Sequence, residues 1–254
     1  MNIQGQAALV TGGASGLGEA TARALAAAGA KVAVLDVNHA LAEKVAADIG
    51  GIACECDITN ADSVAAAIAK AGGRHGPARI LMNIAGIGTA KRVVQKDGSA
   101  APLEDFARVI HVNLIGTYNV SRLFAAECAR MAPLEDGERG VMMFTASVAA
   151  YDGQVGQQAY SASKGGLVGM TLPMARDLAQ HGIRVCTIAP GLFSTPLMKQ
   201  LPEPVQQSLA ASIPFPSRLG KPEEFAQLAC HIVTNTHLNG EVIRLDGALR
   251  MAPR

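Results

Sequence analysis

Short apolar runs alternate along the chain with longer stretches whose apolar residues recur every three to four positions. The runs "AALVTGG" (Ala7–Gly13), "KVAVLD" (Lys31–Asp36), "GIACECD" (Gly51–Asp57) and "RILMNIAG" (Arg79–Gly86) read as strands. So do "GVMMFTAS" (Gly140–Ser147), "IRVCTIAPG" (Ile183–Gly191) and "EVIRLDG" (Glu241–Gly247). Near-continuous apolar character is what a strand buried on both faces requires. The intervening stretches predict helices over 17–29, 39–50 and 60–73, about Leu103–Met131, about Ala159–Gln180, and 222–233. Seven strands separated by helices predict a parallel sheet covered on both faces. Right-handed crossovers then give an α/β fold, a single doubly wound Rossmann-type domain over residues 1–254.

Two segments break the rhythm. Gly88–Pro102 is polar and turn-rich, and Pro190–Pro222 carries Pro196, Pro202, Pro204, Pro214 and Pro216. Both follow strand C-termini, the side on which such sheets bind ligands, and long excursions there are usually lids or binding loops. In the second, Leu192, Phe193, Leu197, Met198, Leu201 and Phe215 either line an apolar channel or pack beneath the loop.

Composition narrows the class. Apolar residues make up 49% of the 254 and charged residues 17%, which is globular and not disordered. A formal charge of +1 without a basic run argues against nucleic acid as the main ligand. No apolar stretch reaches the roughly 18 residues a membrane span needs. The N-terminus has no secretory pattern and the first strand starts near residue 7, so a cytoplasmic location is expected. Five cysteines, an odd count, fit a reducing compartment. Cys54-x-Cys56 lacks a second ligand pair, and the six histidines form no metal-binding spacing, so no metal is expected.

The chemistry lies elsewhere. "VTGGASGLG" follows the first strand and opens the first helix, where Gly12, Gly16 and Gly18 allow a tight turn and close approach to a diphosphate. Asp36 ends the second strand, placed to accept hydrogen bonds from a ribose diol and to repel a 2′-phosphate. NAD is therefore expected over NADP. Residues 1–147 read as the cofactor half, and residues 148–254 as the catalytic helix, lid and last strand.

Tyr160 and Lys164 stand four apart on one predicted helix, so a cation sits beside a phenol. A charge about 5 Å away at an effective dielectric of about 20 lowers a phenol pKa by about two units. On that argument Lys164 and an oxidised nicotinamide ring together bring Tyr160 towards neutrality, where it serves as a general acid and base for an alcohol. Ser147, at the end of its strand, is placed to hold the substrate oxygen. Asn113, polar in an apolar helical stretch, is assigned to hold a water beside Lys164.

Thr11–Gly18 as TGxxxGxG, Asn83-x-Ala85-Gly86, Asn113, Ser147, Tyr160-x3-Lys164, Pro190-Gly191 and Thr195 together resemble the short-chain dehydrogenase/reductase family. The resemblance implies that Asp57 meets the adenine, with Ile58 beside it. It places Asn83 in support of the central strand near the cofactor and Thr195 at the carboxamide. Ser15, Leu17, Ala85, Gly86, Pro190, Gly191 and Phe193 complete the implied cofactor contacts. Ile84 stands where many members have a second asparagine.

Nearly the whole chain, insertion and lid included, resembles members of that family that oxidise (S)-3-hydroxyacyl-CoA to 3-ketoacyl-CoA with NAD and run the reverse. Implied substrate contacts are Ser147, Tyr160, Gln154, Gln157 and Leu201. Lys91, Arg92 and Lys96 either meet CoA phosphates or decorate a solvated loop. A homotetramer is implied, packed through the 103–131 and 159–180 helices. Gly165, Gly166 and Gly169 either permit that approach or serve packing inside one subunit. A hydroxysteroid or other secondary-alcohol dehydrogenase and a scaffold in RNA processing are the competing readings.

Overall fold

The computed structural model describes residues 1–253; of Leu197 only the backbone is described. The chain runs β1 (Ala7–Thr11), α1 (Gly16–Ala27), β2 (Lys31–Asp36), α2 (His39–Asp48), β3 (Ile52–Glu55), α3 (Ala61–His75) and β4 (Ile80–Asn83). It continues through α4 (Leu103–Ile110), a π-helical segment (His111–Gly116), α5 (Thr117–Cys128), β5 (Gly140–Thr145), α6 (Gln158–Ala179) and β6 (Ile183–Pro190). The last elements are α7 (Pro196–Lys199), α8 (Glu203–Ala211), α9 (Pro222–Thr234) and β7 (Val242–Leu245).

All strands pair in parallel, in the order β3-β2-β1-β4-β5-β6-β7. Alternation within β1 shows why the runs are continuously apolar. Ala8 and Val10 join a core with α1, α2 and α9, while Ala7 and Leu9 join a second core with α3 and α5. The chain reverses direction of growth between β1 and β4, whose ends are in register at Thr11 and Asn83. A crevice opens at such a switch point. Thr11 Oγ1 accepts hydrogen bonds from the Ile84 and Ala85 amides, holding the two strand ends together there.

Two expectations need correction. The 103–131 helix is continuous in direction but passes through a π-helical stretch centred on Asn113. The Pro190–Pro222 excursion is not a loop alone, since it folds into α7 and α8. Pro202 serves as the N-cap of α8 and Pro204 lies in its first turn, where a missing N–H costs nothing. Prolines that suggested irregular chain therefore mark a helix start.

Cys54 lies in β3 and Cys56 just after it, both buried, and burial holds the Cys56 and Cys128 thiols up at about 12 and about 11. All five cysteines are free. No described helix is long and apolar enough to cross a membrane.

A buried ion pair ties β5 and β6 to the end of α9. Arg184 Nε lies 2.8 Å from Glu138 Oε1, and its remaining donors reach the Ile232, Val233 and Leu238 carbonyls. Both side chains are under a tenth exposed. Glu138 Oε2 also holds the buried Met1 ammonium at 2.9 Å, so Glu138→Gln leaves two buried cations without a counter-charge and should lower stability by about 3–5 kcal/mol. Urea denaturation measures it; a change below about 1 kcal/mol would refute the accounting.

Candidate active site

The glycine-rich turn is built by close contact. A Cβ on Gly12, whose φ is +65°, would lie 2.8 Å from the Ala85 backbone. A Cβ on Gly18 would lie 1.9 Å from the Gly12 carbonyl oxygen, so only glycine lets α1 start this near β1. Ser15 caps α1 in extended conformation without using its hydroxyl. The first-turn amides of Gly16, Leu17 and Gly18 have no carbonyl one turn earlier to bond, and the helix dipole adds positive potential there. The lid closes over this turn: Pro196 Cδ would be 3.5 Å from a Cβ on Gly16, and Thr195 is beside it. These features fit a dinucleotide diphosphate.

Asp36 belongs to the same construction. Its carboxylate accepts from the Ala14 amide at 3.1 Å and from the Asn38 amide at 2.9 Å. Each oxygen keeps a lone pair free for a further donor, so the residue can brace the turn and still meet a diol. Asp57 is exposed, with one oxygen engaged by the Thr59 amide and hydroxyl, which hold its carboxyl below the usual range. Ile58 is buried, and its carbonyl accepts from Asn119. Asn83 Nδ2 donates to Ser121 on α5, so its side chain supports the strand end from the α5 side.

Phe193 departs from its expected place. Its ring is buried edge-on against Phe225 of α9, 6.3 Å between centroids, so only its backbone remains near the crevice. The lid's other apolar residues divide: Leu201 is partly exposed between α7 and α8, and Phe215 is 83% exposed. The expected position of the Leu197 side chain lies outside the described residues. Gly191 packs directly on Asp246, where a Cβ would approach within 2.8 Å. Pro190 ends β6 beside it.

Ser147, Tyr160, Lys164 and Asn113 come together below the end of β5. Lys164 is buried and donates from Nζ to the Thr145 carbonyl at 2.6 Å. Gly86 leaves the space that its neighbours need, since a Cβ there would be 3.2 Å from Asn113 Oδ1 and 3.4 Å from Lys164 Nζ. The Ser147 hydroxyl accepts from the Ala149 amide and retains its own proton to donate.

Asn113 also has a structural task that its sequence position did not reveal. Its Oδ1 accepts from the Ile87 amide and its Nδ2 donates to the Ile87 carbonyl, both at 2.8 Å; Nδ2 also donates to Ser163 Oγ at 3.0 Å. Ser163 in turn donates to the Tyr160 carbonyl. With these bonds the side chain staples the β4 exit to α6, and its Oδ1, which keeps a second lone pair, lies beside Lys164 Nζ at Gly86. The π-helical segment rotates it into that position.

The electrostatic expectation for Tyr160 concerns the site with its oxidised cofactor. In the protein alone, burial pushes the phenol above its ordinary pKa, offset only in part by the Ser147 hydroxyl. Lys164 Nζ sits 5.7 Å from the ring centroid, yet the same burial lowers its own pKa to about 8. Burial is the leading cause of both shifts.

Of the substrate residues, Gln157 Oε1 accepts from the Gln154 amide, while Gln154 Nε2 donates to the Ala252 carbonyl. Gln154 therefore turns onto the segment after β7. Lys91 is paired with Asp105, and its amide donates to the Gly156 carbonyl, so the insertion braces the Ser147–Tyr160 loop. Sequence reading missed Ser163, and named Thr11 only as the start of the glycine motif, without its tie between β1 and β4. Ser163 carries the faint signal of a polar residue in the helical stretch next to Lys164; Thr11 carries that of a polar residue closing an apolar run.

With a diphosphate cradle at the switch point and a serine, tyrosine and lysine converging beside it, the chain belongs to the short chain dehydrogenase family, whose model matches residues 6–206. It is 53% identical to human "3-hydroxyacyl-CoA dehydrogenase type-2" over 99% of this chain and 98% of that protein. The solved structure of 3-hydroxyacyl-CoA dehydrogenase type-2 from Mycobacterium avium superposes with a TM-score of 0.95 at 47% identity, covering 98% of each chain. The 3-ketoacyl-(acyl-carrier-protein) reductase from Brucella melitensis, solved with NADH, matches at a TM-score of 0.87 and 32% identity, over 98% of this chain and 100% of that one.

Lys164 disfavours folding while it is charged. Its pKa falls from the ordinary 10.5 to about 8, so the cost is full below pH 8 and is relieved as pH rises from 8 towards 10.5. It is on the order of 3 kcal/mol at pH 7. Lys164→Met should therefore be the more stable protein at pH 7, by an amount that shrinks near pH 10. Thermal unfolding of both proteins at the two pH values decides this, and a pH-independent difference would refute it.

Proposed function

We propose that this protein is an NAD-dependent dehydrogenase that oxidises (S)-3-hydroxyacyl-CoA to 3-ketoacyl-CoA and catalyses the reverse. The observation that carries the substrate class is the 53% identity, nearly end to end, to human 3-hydroxyacyl-CoA dehydrogenase type-2. A bound nicotinamide dinucleotide supplies the hydride acceptor or donor. Gly12, Ser15, Gly16, Leu17 and Gly18 hold its diphosphate, and Asp36 its ribose diol. Asp57, Ile58, Asn83, Ala85, Gly86, Pro190, Gly191, Thr195 and the backbone of Phe193 line the rest of the crevice.

Ser147 donates its hydroxyl proton to the substrate oxygen and orients it. In reduction Tyr160 Oη gives its proton to that oxygen, and in oxidation it takes the proton back. The neutral phenol favoured by burial is the form reduction needs. Lys164, held by the Thr145 carbonyl, keeps its ammonium near the phenol, and Asn113 fixes the helix that carries both. Ser147, Gln157 and Leu201 border the acyl path, with Gln154 bracing it.

Support for NAD over NADP comes from Asp36, whose carboxylate at the ribose would repel a 2′-phosphate. A homotetramer is supported by the open faces of two helices. Gly165, Gly169 and Leu172 share one face of α6, and nothing lies within 4 Å of a Cβ on either glycine. Ile115 and Tyr118 are about half exposed on the neighbouring helix. Gly166, by contrast, packs on Leu114 of its own chain. Five free cysteines favour a reducing, cytoplasmic setting.

NADH consumption with acetoacetyl-CoA tests the reaction. Wild type should turn over, and Tyr160→Phe should lose about 10²–10⁴-fold; full activity in the variant would remove Tyr160 from its role. Asp36→Arg should shift the NAD-to-NADP preference by at least about tenfold, one charge interaction's worth. An unchanged ratio would refute the cofactor assignment. Light scattering should report four times the 26.1 kDa chain, and a monomer mass would refute the tetramer.

A further inference from the structure

The loop between Ser147 and Tyr160 carries the groups that border the substrate; its own hydrogen bonds shape its turns, and a side chain from outside ties it to the rest of the crevice. Tyr151 and Asp152 sit beneath Arg244, which projects from β7. Arg244 Nη2 lies 2.6 Å from Asp152 Oδ2, its Nε 2.8 Å from Asp246 Oδ2, and its guanidinium carbon 5.1 Å from the Tyr151 ring centroid. The same Nη2 donates to the Leu249 carbonyl at 3.0 Å. The segment so held then pairs with the loop: the Val155 amide donates to the Pro253 carbonyl, and Gln154 Nε2 to the Ala252 carbonyl.

Asp246 and Gly247, at the other side of this guanidinium, anchor the lid and the cofactor loop. Asp246 packs against Gly191. A Cβ on Gly247 would lie 2.6 Å from Ile213 Cγ2, and the Phe215 amide donates to the Gly247 carbonyl at 3.3 Å. One side chain thus bridges the loop on one wall of the crevice to the turn on which the lid's far end rests. The planar guanidinium reaches Asp246 from Nε and Asp152 from Nη2 with its face on Tyr151, two donor positions that a single ammonium nitrogen cannot occupy at once.

We propose that Arg244 is a positioning residue for the substrate: it holds the Tyr151–Gly156 loop in register with the lid anchor at Asp246–Gly247. It touches neither the reacting atoms nor the glycine-rich turn, and Asp246 keeps Arg250 as a second partner at 3.2 Å, so the cofactor loop at Gly191 retains support that the Tyr151–Gly156 loop does not. Misplacement of a bordering loop by about 1 Å is enough to cost up to 100-fold in rate. In its kinetic part the proposal rests on the acyl-CoA reading above.

The experiment compares wild type, Arg244→Met, Arg244→Lys and Asp152→Asn in three measurements. Amide hydrogen exchange should speed up about tenfold or more in Tyr151–Gly156 and Leu249–Pro253 in Arg244→Met, with β1–β4 unchanged. NADH affinity, read by fluorescence without substrate, should stay within about twofold. The KM for acetoacetyl-CoA should rise about tenfold or more in Arg244→Met and Asp152→Asn alike, with kcat less affected. Arg244→Lys, which can reach one carboxylate but not both, should fall between.

Unchanged exchange in the two segments would overturn the proposal, as would a loss of NADH affinity matching the rise in KM, the mark of general destabilisation. Full rescue by lysine would also overturn it, because charge alone would then suffice. If wild type binds NADH but does not turn over acetoacetyl-CoA, the substrate reading falls. Hydrogen exchange still decides the clamp in that case.

Discussion

The Asn113 amide holds the two halves of this molecule in catalytic relation. It pairs with both backbone groups of Ile87 at the exit of β4 and with Ser163 in the helix that carries Tyr160 and Lys164. The side chain is fully buried, so losing one partner would leave a desolvated polar group unpaired. Its reach depends on the π-helical turn, which re-aims one residue without ending the helix. Gly86 belongs to the same constraint, since any side chain there would crowd Asn113 and Lys164.

Burial defines the electrostatics that follow. Lys164 is inside the protein with a single backbone carbonyl for company, and its ammonium is correspondingly hard to maintain. Tyr160 is pushed towards its neutral form by the same desolvation. The free protein is thus poised as a proton donor, and an added positive charge in the crevice would favour the phenolate. That balance between strained charge and dry surroundings is typical of a site that gives up stability for chemistry.

The walls of the crevice come from parts of the chain far apart in sequence. The glycine turn and Asp36 brace one another through the Ala14 amide. The insertion and the segment after β7 grip the Ser147–Tyr160 loop from two sides, through Gly156 and Val155. The lid rests on the glycine turn at Thr195–Pro196 and on Gly247 at its far end. Such mutual support leaves few loops free to choose their own position.

The linear pattern alone determined the seven strands, their helices and the switch-point crevice, because continuous apolar runs and helical periodicity are local signals of burial. It also located the glycine turn, Asp36, Ser147, Tyr160 and Lys164, whose chemistry depends on spacing within single elements or at strand ends. Only the tertiary structure decided what Asn113 bonds to, that Phe193 faces the core, that α7 and α8 form in the lid, and that burial raises the Tyr160 phenol in the free protein. The physical reason is common to all four. Hydrogen-bond partners, packing neighbours and desolvation come from residues tens of positions away, and no local pattern of hydrophobicity records which of them will meet.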